Sequence, residues 1–226
     1  MNDVMSMNGS AGGAARLFAA SLRALLVLTV LCGVLYPLAV TGVAQGLFPH
    51  RANGSEIRER GTVVGSSLIG QRYDLPQAEG RKTPAPDLRW FQPRPSDGLS
   101  DNTVNTRYRL LVSGATNRAG DDKELIRSVR EARAAVVRDN STPGHPVRPS
   151  AVPPDAVLSS GSGLDPDISP AYAHLQVRRV AERNHLPAER VARLVDEHTR
   201  QRVLGFMGEP RVNVLELNVA LRELTR

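Results

Sequence analysis

The feature of this sequence that most constrains its fold is an uncharged apolar run from Leu25 to Ala44. A helix of about 20 residues rises about 30 Å, which matches the hydrocarbon core of a bilayer. Inside lipid the run has to be helical, because each unpaired backbone N–H or C=O group there costs several kcal/mol. We therefore predict a transmembrane helix with its flanks at residues 16–48, preceded by a disordered tail at residues 1–15.

Two other interpretations of the apolar run remain open at this point. A buried helix of a soluble protein normally keeps a polar face, and this run has none. A cleaved signal peptide would use Arg16 and Arg23 as its basic region and the small residues around Ala44 as its cleavage site. The run is longer than the roughly 7 to 15 apolar residues typical of a signal peptide, which favours an anchor.

The charges that flank the apolar run predict its orientation. Arg16 and Arg23 precede the run with Asp3 as the only acid before it, and short basic tails tend to stay in the cytoplasm. The N-terminus is therefore expected in the cytoplasm and the C-terminal domain outside it. Pro37 and its neighbouring glycines free backbone groups within the helix, which indicates that another helix packs there.

Composition limits what the remaining chain can do. Residues 49–226 suffice for one ordinary domain. The net charge is +6, but acids alternate with arginines along the predicted helices, a pattern typical of solvated faces and not of a nucleic-acid binder. Cys32 is the only cysteine and lies in the apolar run, so the sequence predicts neither an intramolecular disulfide nor a structural zinc site built on cysteines.

The soluble part shows mixed periodicity, which predicts one small α+β domain after the single transmembrane helix. One or two short strands are expected before Ser67, and the aromatic pair Trp90-Phe91 is expected in the core. Helices are predicted at residues 121–138, from a Ser169 cap onward, from Leu186 onward and within 212–224. A strand is predicted at residues 156–158. Residues 110–112 form a further short apolar run.

A Gly-rich loop next to a helix start is the one stretch that suggests ligand chemistry. Ser160, Gly161, Ser162 and Gly163 could present backbone N–H groups to an anion. No lysine lies nearby, and the spacing matches neither nucleotide-binding glycine motif, so a tight structural loop is the alternative. Nucleotide binding at this loop stays a hypothesis.

Residue types of a hydrolase occur near the same loop. Ser159, Ser160 and Ser162 with His174 and Asp165 supply the types used in serine hydrolases, but no nucleophile-elbow spacing joins them. The sequence also lacks a P-loop and a phosphorylation motif, so the chain is not expected to hydrolyse ATP. An exported hydrolase and a tethered nucleotide-binding module remain the alternatives to an accessory protein.

Several sequence blocks occur together in the order found in one known family. They are Leu35-Tyr36-Pro37-Leu38, Gln45-Gly46-Leu47-Phe48-Pro49, Ala52-Asn53-Gly54-Ser55, Val64 to Gln71, Phe91-Gln92-Pro93-Arg94-Pro95-Ser96, Ser160 to Pro166 with Ile168-Ser169-Pro170, and Gly208 to Asn218. Over nearly its whole length the chain resembles the C subunit of the Kdp potassium-transporting ATPase. It departs from the family pattern at Asp167, where histidine is usual, and around Ser113 to Gly120.

This resemblance implies a non-hydrolytic accessory subunit of a bacterial high-affinity, ATP-driven potassium uptake complex in the plasma membrane. The implied partners are a channel-like potassium-binding subunit, a P-type ATPase catalytic subunit, a small membrane peptide and the lipid bilayer. The family is described as a catalytic chaperone that raises the ATP affinity of the catalytic subunit. No cofactor is expected to bind tightly, and ATP is expected only in a ternary complex.

The resemblance also implies specific nucleotide contacts, at Ser160, Gly161, Ser162 and Gly163 and at Gln176. These contacts conflict with the predicted orientation, because an extracytoplasmic domain cannot reach cytoplasmic ATP. On the outer side the same domain would be placed to cover the potassium entrance of the pump. A role in membrane assembly is therefore the stronger expectation.

Overall fold

The protein is described here by a computed structural model, which covers residues 10–76, 84–96, 113–114 and 117–225. The chain divides into two compact units, residues 1–54 and 55–226.

The first unit is built on a helix interrupted by one wider turn. Its parts are α1 (Ser10–Val30), a π-helical turn (Leu31–Leu35), α2 (Tyr36–Leu47) and the short α3 (Pro49–Ala52). The N–H of Tyr36 reaches back to the carbonyl of Leu31. Pro37 follows directly and has no N–H, and its ring would clash with the carbonyl four residues earlier in a regular helix. The wider turn accommodates the proline without ending the helix.

Residues Gly12–Leu47 are long and apolar enough to cross a membrane. Their 36 residues would rise about 54 Å, more than a hydrocarbon core requires. The helix begins at Ser10, six residues before the predicted boundary at residue 16. The predicted disordered tail is therefore helical over residues 10–15, and residues 1–9 lie outside the described part.

The second unit is a mixed helix and strand domain, as the sequence predicts. Two small antiparallel sheets and four helices make up its regular structure within the described residues. The first sheet pairs β1 (Glu56–Glu59) with β2 (Thr62–Ser66). The remaining elements are α4 (Lys123–Asn140), β3 (Asp167–Ile168), α5 (Pro170–Arg183), α6 (Ala188–Glu197), β4 (Thr199–Arg200), β5 (Arg211–Asn213) and α7 (Val214–Leu224). The second sheet has the strand order β3-β5-β4.

Side-chain caps fix where three of these helices begin. The carboxylate of Asp122 accepts from two N–H groups of the first turn of α4. The hydroxyl of Ser169 accepts from the N–H of Tyr172, and Pro170 takes the first position of α5, where no N–H is needed. Asn213 caps α7 by accepting from the N–H of Glu216. These starts confirm the predicted helices to within a few residues.

One local prediction was wrong. Residues 156–158 do not form a strand, because Pro153 and Pro154 start a 3-10 turn (Pro154–Ala156) that continues into a bend. The helix predicted within 212–224 is α7, which begins at Val214 after the Asn213 cap, and the extended residues 212–213 before it belong to β5. The apolar run at residues 110–112 lies outside the described residues.

The core lies between α5, α6, α7 and the three-stranded sheet. Phe91 is fully buried there, which confirms that the aromatic pair packs inside the domain. Trp90 lies at the edge, with its ring centroid 5.9 Å from that of Tyr73 and the Arg222 guanidinium 5.2 Å from the indole. Burial raises the pKa of Tyr73 to about 12, so this phenol stays neutral. The other buried apolar side chains include Ile168, Ala173, Val177, Val180, Val191, Val195, Val212, Leu217 and Leu221.

Phe91 enters the core on a segment that has no regular secondary structure. A buried backbone group without a partner costs about as much as a lost hydrogen bond. The side chain of Asn218 on α7 supplies both partners, accepting from the N–H of Phe91 at 2.9 Å and donating to its carbonyl at 2.9 Å. The Asn218 side-chain amide thus provides the two hydrogen bonds that a neighbouring strand would otherwise provide to Phe91.

Replacing Asn218 by alanine is expected to lower the free energy of unfolding by about 2–4 kcal/mol, because both backbone groups of Phe91 lose their partner inside the core. Chemical denaturation of the full chain in detergent, followed by the fluorescence of Trp90, measures the change. Gln201→Ala, at an exposed position, serves as the control. Equal unfolding midpoints for the two variants would show that the Asn218 amide is not needed.

Candidate functional site

The Gly-rich loop predicted from the sequence joins the 3-10 turn at Pro154–Ala156 to β3. Ser160 and Gly163 are buried, whereas Gly161 and Ser162 are exposed. The Ser162 hydroxyl lies 3.3 Å from that of Ser160 and accepts from the N–H of Leu164. The loop is therefore folded on itself, with a short exposed tip of two residues.

Carbonyl groups of this loop hold three other parts of the chain. The carbonyl of Ser162 accepts from Gly114 N–H, and that of Gly163 accepts from the hydroxyl of Ser96. The carbonyl of Leu164 accepts from Gly70 N–H at 2.8 Å. The loop thus presents hydrogen-bond acceptors to its neighbours, which is the opposite polarity from an anion site.

The approach of residue 70 to the loop requires a glycine. A Cβ atom at Gly70 would lie 2.6 Å from the carbonyl oxygen of Asp165, which is closer than a real Cβ contact. This explains a glycine in the block Val64 to Gln71 in terms of packing against the loop.

Arg94 fixes the base of the loop. Its guanidinium donates to the carbonyls of Leu158 and Ser159 and lies 3.0 Å from a carboxylate oxygen of Asp165. The other oxygen of Asp165 accepts from the N–H of Asp167. The arginine that lies beside the loop is therefore already committed to protein groups, and its charge is balanced by Asp165.

Gln176 lies in the middle of α5 and is fully buried. Its amide oxygen accepts from the N–H of Gln92 at 2.7 Å and from Arg179 at 2.6 Å, and its amide nitrogen donates to the carbonyl of Gln92 at 3.1 Å. Gln176 therefore holds the backbone beside Phe91 in the same way as Asn218 does. In this conformation it has no exposed surface with which to contact a ligand.

Arg179, one turn further along α5, completes this network. Its guanidinium donates to the side chain of Asn140 at 2.8 Å, to the carbonyls of Leu88 and Trp90, and to Gln176. All of these acceptors are neutral, and burial lowers the pKa of Arg179 to about 10. The side chain is thus a buried cation that donates to two backbone carbonyls and two side-chain amides, a task suited to the planar guanidinium.

A cavity of about 350 Å³ opens between α4, α5 and the segment that carries Phe91. Arg179 and Tyr172 lie on its wall, and burial raises the pKa of Tyr172 to about 12. Further charged residues on the wall form ion pairs of their own, Arg94 with Asp165 and Arg72 with Asp74. Arg94 and Ser96, which contact the Gly-rich loop, also line this cavity and place it beside the loop.

The residue types of a hydrolase do not assemble within the described part of the chain. A ring nitrogen of His174 lies 2.9 Å from a carboxylate oxygen of Asp196, on the exposed faces of α5 and α6. No hydrogen bond joins His174 to Ser159, Ser160 or Ser162 among the described residues. The arrangement therefore lacks the contact between serine and histidine that activates a serine nucleophile.

Sequence reasoning missed the residues that organise this region. Arg94 lies in a block that the sequence singles out, but nothing local indicates that it reaches residues 158–165. Arg179 looks like any arginine of an amphipathic helix, and its burial follows only from the tertiary structure. The spacing of Gln176 and Arg179, three residues apart on one face of α5, was the available signal for a shared partner.

An apolar helix of membrane length followed by a small α+β domain is consistent with a membrane-anchored protein with a single span. Comparison with known families gives a more specific assignment. Residues 18–223 match the family model of the K+-transporting ATPase, c chain. The match covers the membrane helix and the domain together.

Curated relatives agree with this match. The chain is 73% identical to a potassium-transporting ATPase KdpC subunit of Streptomyces coelicolor over 218 residues, which covers 96% of this chain and 97% of that protein. The corresponding subunit of Streptomyces avermitilis is 67% identical over 218 residues, covering 96% and 98%. That of Gemmatimonas aurantiaca is 46% identical over 208 residues, covering 90% and 93%. The chain belongs to the KdpC family of potassium-transporting ATPase subunits.

Arg179→Lys is expected to lower the free energy of unfolding by about 2–4 kcal/mol, although it keeps the charge, because one ammonium cannot reach the acceptors that the guanidinium holds. Denaturation of the full chain in detergent, followed by Trp90 fluorescence, measures the loss. Arg178→Lys on the exposed face of the same helix is the matched control and should change stability by less than about 0.5 kcal/mol. A tolerated lysine at residue 179 would contradict the structural role.

Proposed function

We propose that this chain is a non-hydrolytic accessory subunit of a bacterial ATP-driven potassium uptake complex, acting as an assembly factor that raises the ATP affinity of the catalytic subunit. The observation that carries the proposal is the family match over residues 18–223, since it includes both the membrane helix and the domain. The partners proposed are a channel-like potassium-binding subunit, a P-type ATPase catalytic subunit and a small membrane peptide.

A non-hydrolytic role is supported by the chemistry of the described residues. The Gly-rich loop offers carbonyl oxygens to its neighbours, and its nearest guanidinium, that of Arg94, is paired with Asp165. The His174 imidazole pairs with Asp196 and not with a serine. The sequence contains neither a P-loop nor a phosphorylation motif, so hydrolysis is assigned to another subunit.

The proposed effect on ATP affinity acts through the assembled complex, without direct contact between this domain and the nucleotide. Two considerations support an indirect route. The basic tail favours an extracytoplasmic position for the domain, on the opposite side of the membrane from cytoplasmic ATP. In addition, the amide of Gln176 is occupied by Gln92 and Arg179. A subunit that stabilises one arrangement of a complex can change affinity at a distant site by its differential affinity for that arrangement.

The effect on ATP affinity can be measured directly on the complex. Removal of this chain is expected to raise the KM for ATP of potassium-stimulated hydrolysis by about 5-fold to 150-fold, the usual range of coupling between sites. The unaltered complex and a complex with Gly161→Ala are measured in parallel. An indirect route predicts that Gly161→Ala leaves the KM unchanged, and an increase equal to that of the deletion would establish direct contact at the loop.

The proposed orientation is tested by labelling a single cysteine. Cys32→Ser removes the only native thiol, and Ser162→Cys places one at the exposed tip of the Gly-rich loop. A membrane-impermeant maleimide is expected to label this cysteine in intact cells. Labelling only after lysis would place the domain in the cytoplasm and make a ternary complex with ATP at Ser160, Gly161, Ser162 and Gly163 the better mechanism.

A further inference from the structure

The chain between β4 and β5 forms a hairpin that projects from the end of the three-stranded sheet. The strands pair Thr199 with Val212 and Arg200 with Arg211, and an isolated bridge joins Val203 to Met207. Two backbone hydrogen bonds of 2.9 Å close that bridge in both directions. We call residues 203–207 the hairpin tip.

The hairpin tip presents an unusual amount of apolar side chain to solvent. Val203, Leu204, Phe206 and Met207 are 54%, 78%, 72% and 51% exposed. In the second unit, eight large apolar side chains are exposed among the described residues, and these four lie together while the others are scattered. Single exposed apolar residues need no explanation, but a contiguous group marks a site of interaction.

The backbone of the hairpin tip is held in a turn that disfavours one of these residues. Leu204 has φ of +53° and Gly205 has φ of +82°, as the two central positions of this tight turn require. A glycine or an asparagine adopts such angles readily, but leucine does so at a cost. Burial of the Leu204 side chain does not offset this conformational cost, because Leu204 has more of its surface exposed than the other three tip residues.

The charged residues at the base of the hairpin are already neutralised. Arg200 lies 2.6 Å from Glu216, Arg202 lies 2.8 Å from Glu209, and Arg211 lies 2.9 Å from Asp167. The hairpin tip is thus an apolar patch with a polar rim of balanced charge, the composition of a protein interface. A surface that binds anionic lipid would instead keep basic side chains unpaired around its apolar part.

We infer that the hairpin tip docks into an apolar socket with an uncharged rim on another subunit of the ATPase. The inference rests on the proposed function, since membership of a multi-subunit ATPase family supplies the partner chain. The convex shape of the tip requires a concave site, and Leu204 and Phe206, as the most exposed side chains, enter it deepest. The left-handed turn at Leu204 serves to present that side chain.

Photo-crosslinking within the complete complex tests the contact. A benzophenone amino acid replaces Phe206 in the full chain, which is expressed with the other subunits and irradiated in membranes. The expected product is a covalent adduct with another subunit of the ATPase, identified by mass spectrometry. The same amino acid at Leu68, which is 63% exposed elsewhere in the domain, gives no such adduct. Adducts with lipid alone, or none, overturn the inference.

A pair of substitutions tests whether the contact stabilises the complex. Leu204→Asn combined with Phe206→Ser is expected to speed dissociation of the tagged chain from the purified complex by about tenfold or more, because both apolar anchors are lost. Asparagine tolerates the left-handed angles, so the thermal midpoint of the chain should not fall. Leu68→Ser, which removes an exposed leucine elsewhere in the domain, should leave the dissociation rate unchanged.

The outcomes separate this inference from the function on which it rests. If the unaltered chain fails to co-purify with the ATPase subunits, the proposed function and the docking inference both fail. If the unaltered chain co-purifies and the double variant dissociates no faster than Leu68→Ser, the docking inference alone is wrong.

Discussion

The domain depends on the way in which helix side chains satisfy the backbone of the irregular segment 88–92. This segment carries Phe91 into the core but pairs with no strand. Asn218 from α7 and Gln176 from α5 bind the backbone groups of Phe91 and Gln92 on both sides, and Arg179 adds the carbonyls of Leu88 and Trp90. Without these contacts the segment would bury several unpaired polar groups, at about 1–3 kcal/mol each.

The Gly-rich loop is arranged by the continuation of the same segment. Arg94 and Ser96 follow directly after Gln92 and contact the loop at both ends, so that positioning residues 88–92 also positions residues 158–165. The buried network and the loop therefore form one continuous polar system.

The sequence predicted those elements whose position is determined by residues close to them in the chain. Pro170 after Ser169, and Glu216 three residues after Asn213, mark helix starts that depend on the nearest turn only, and the structure has both. The charge-free run at Leu25 to Ala44 likewise predicted the membrane helix from length and composition. The sequence did not predict the π turn before Pro37, because a proline inside a helix can be accommodated by a kink, a break or a wider turn.

The candidate site was less predictable because its contacts join residues far apart in sequence. Asn218 and Phe91 are separated by 127 positions, and Arg179 and Leu88 by 91. A buried arginine with neutral partners has the same sequence signature as a solvated one on an amphipathic helix. Gln176 was named only through the family resemblance, and the burial of its side chain is a tertiary property that the sequence does not show.

Among the described residues, the membrane helix and the hairpin tip each leave an apolar surface exposed after their own unit has folded. The membrane helix buries none of its apolar window, and Gly33, Gly42 and Gly46 have open space where a side chain would be. Small residues of this kind allow close approach of a second helix in lipid. The hairpin tip is also apolar and exposed, but it lies in water, where exposing apolar side chains costs free energy. Partner subunits that cover both surfaces would stabilise the complex at each contact. The same chain alone would have neither contribution to its stability.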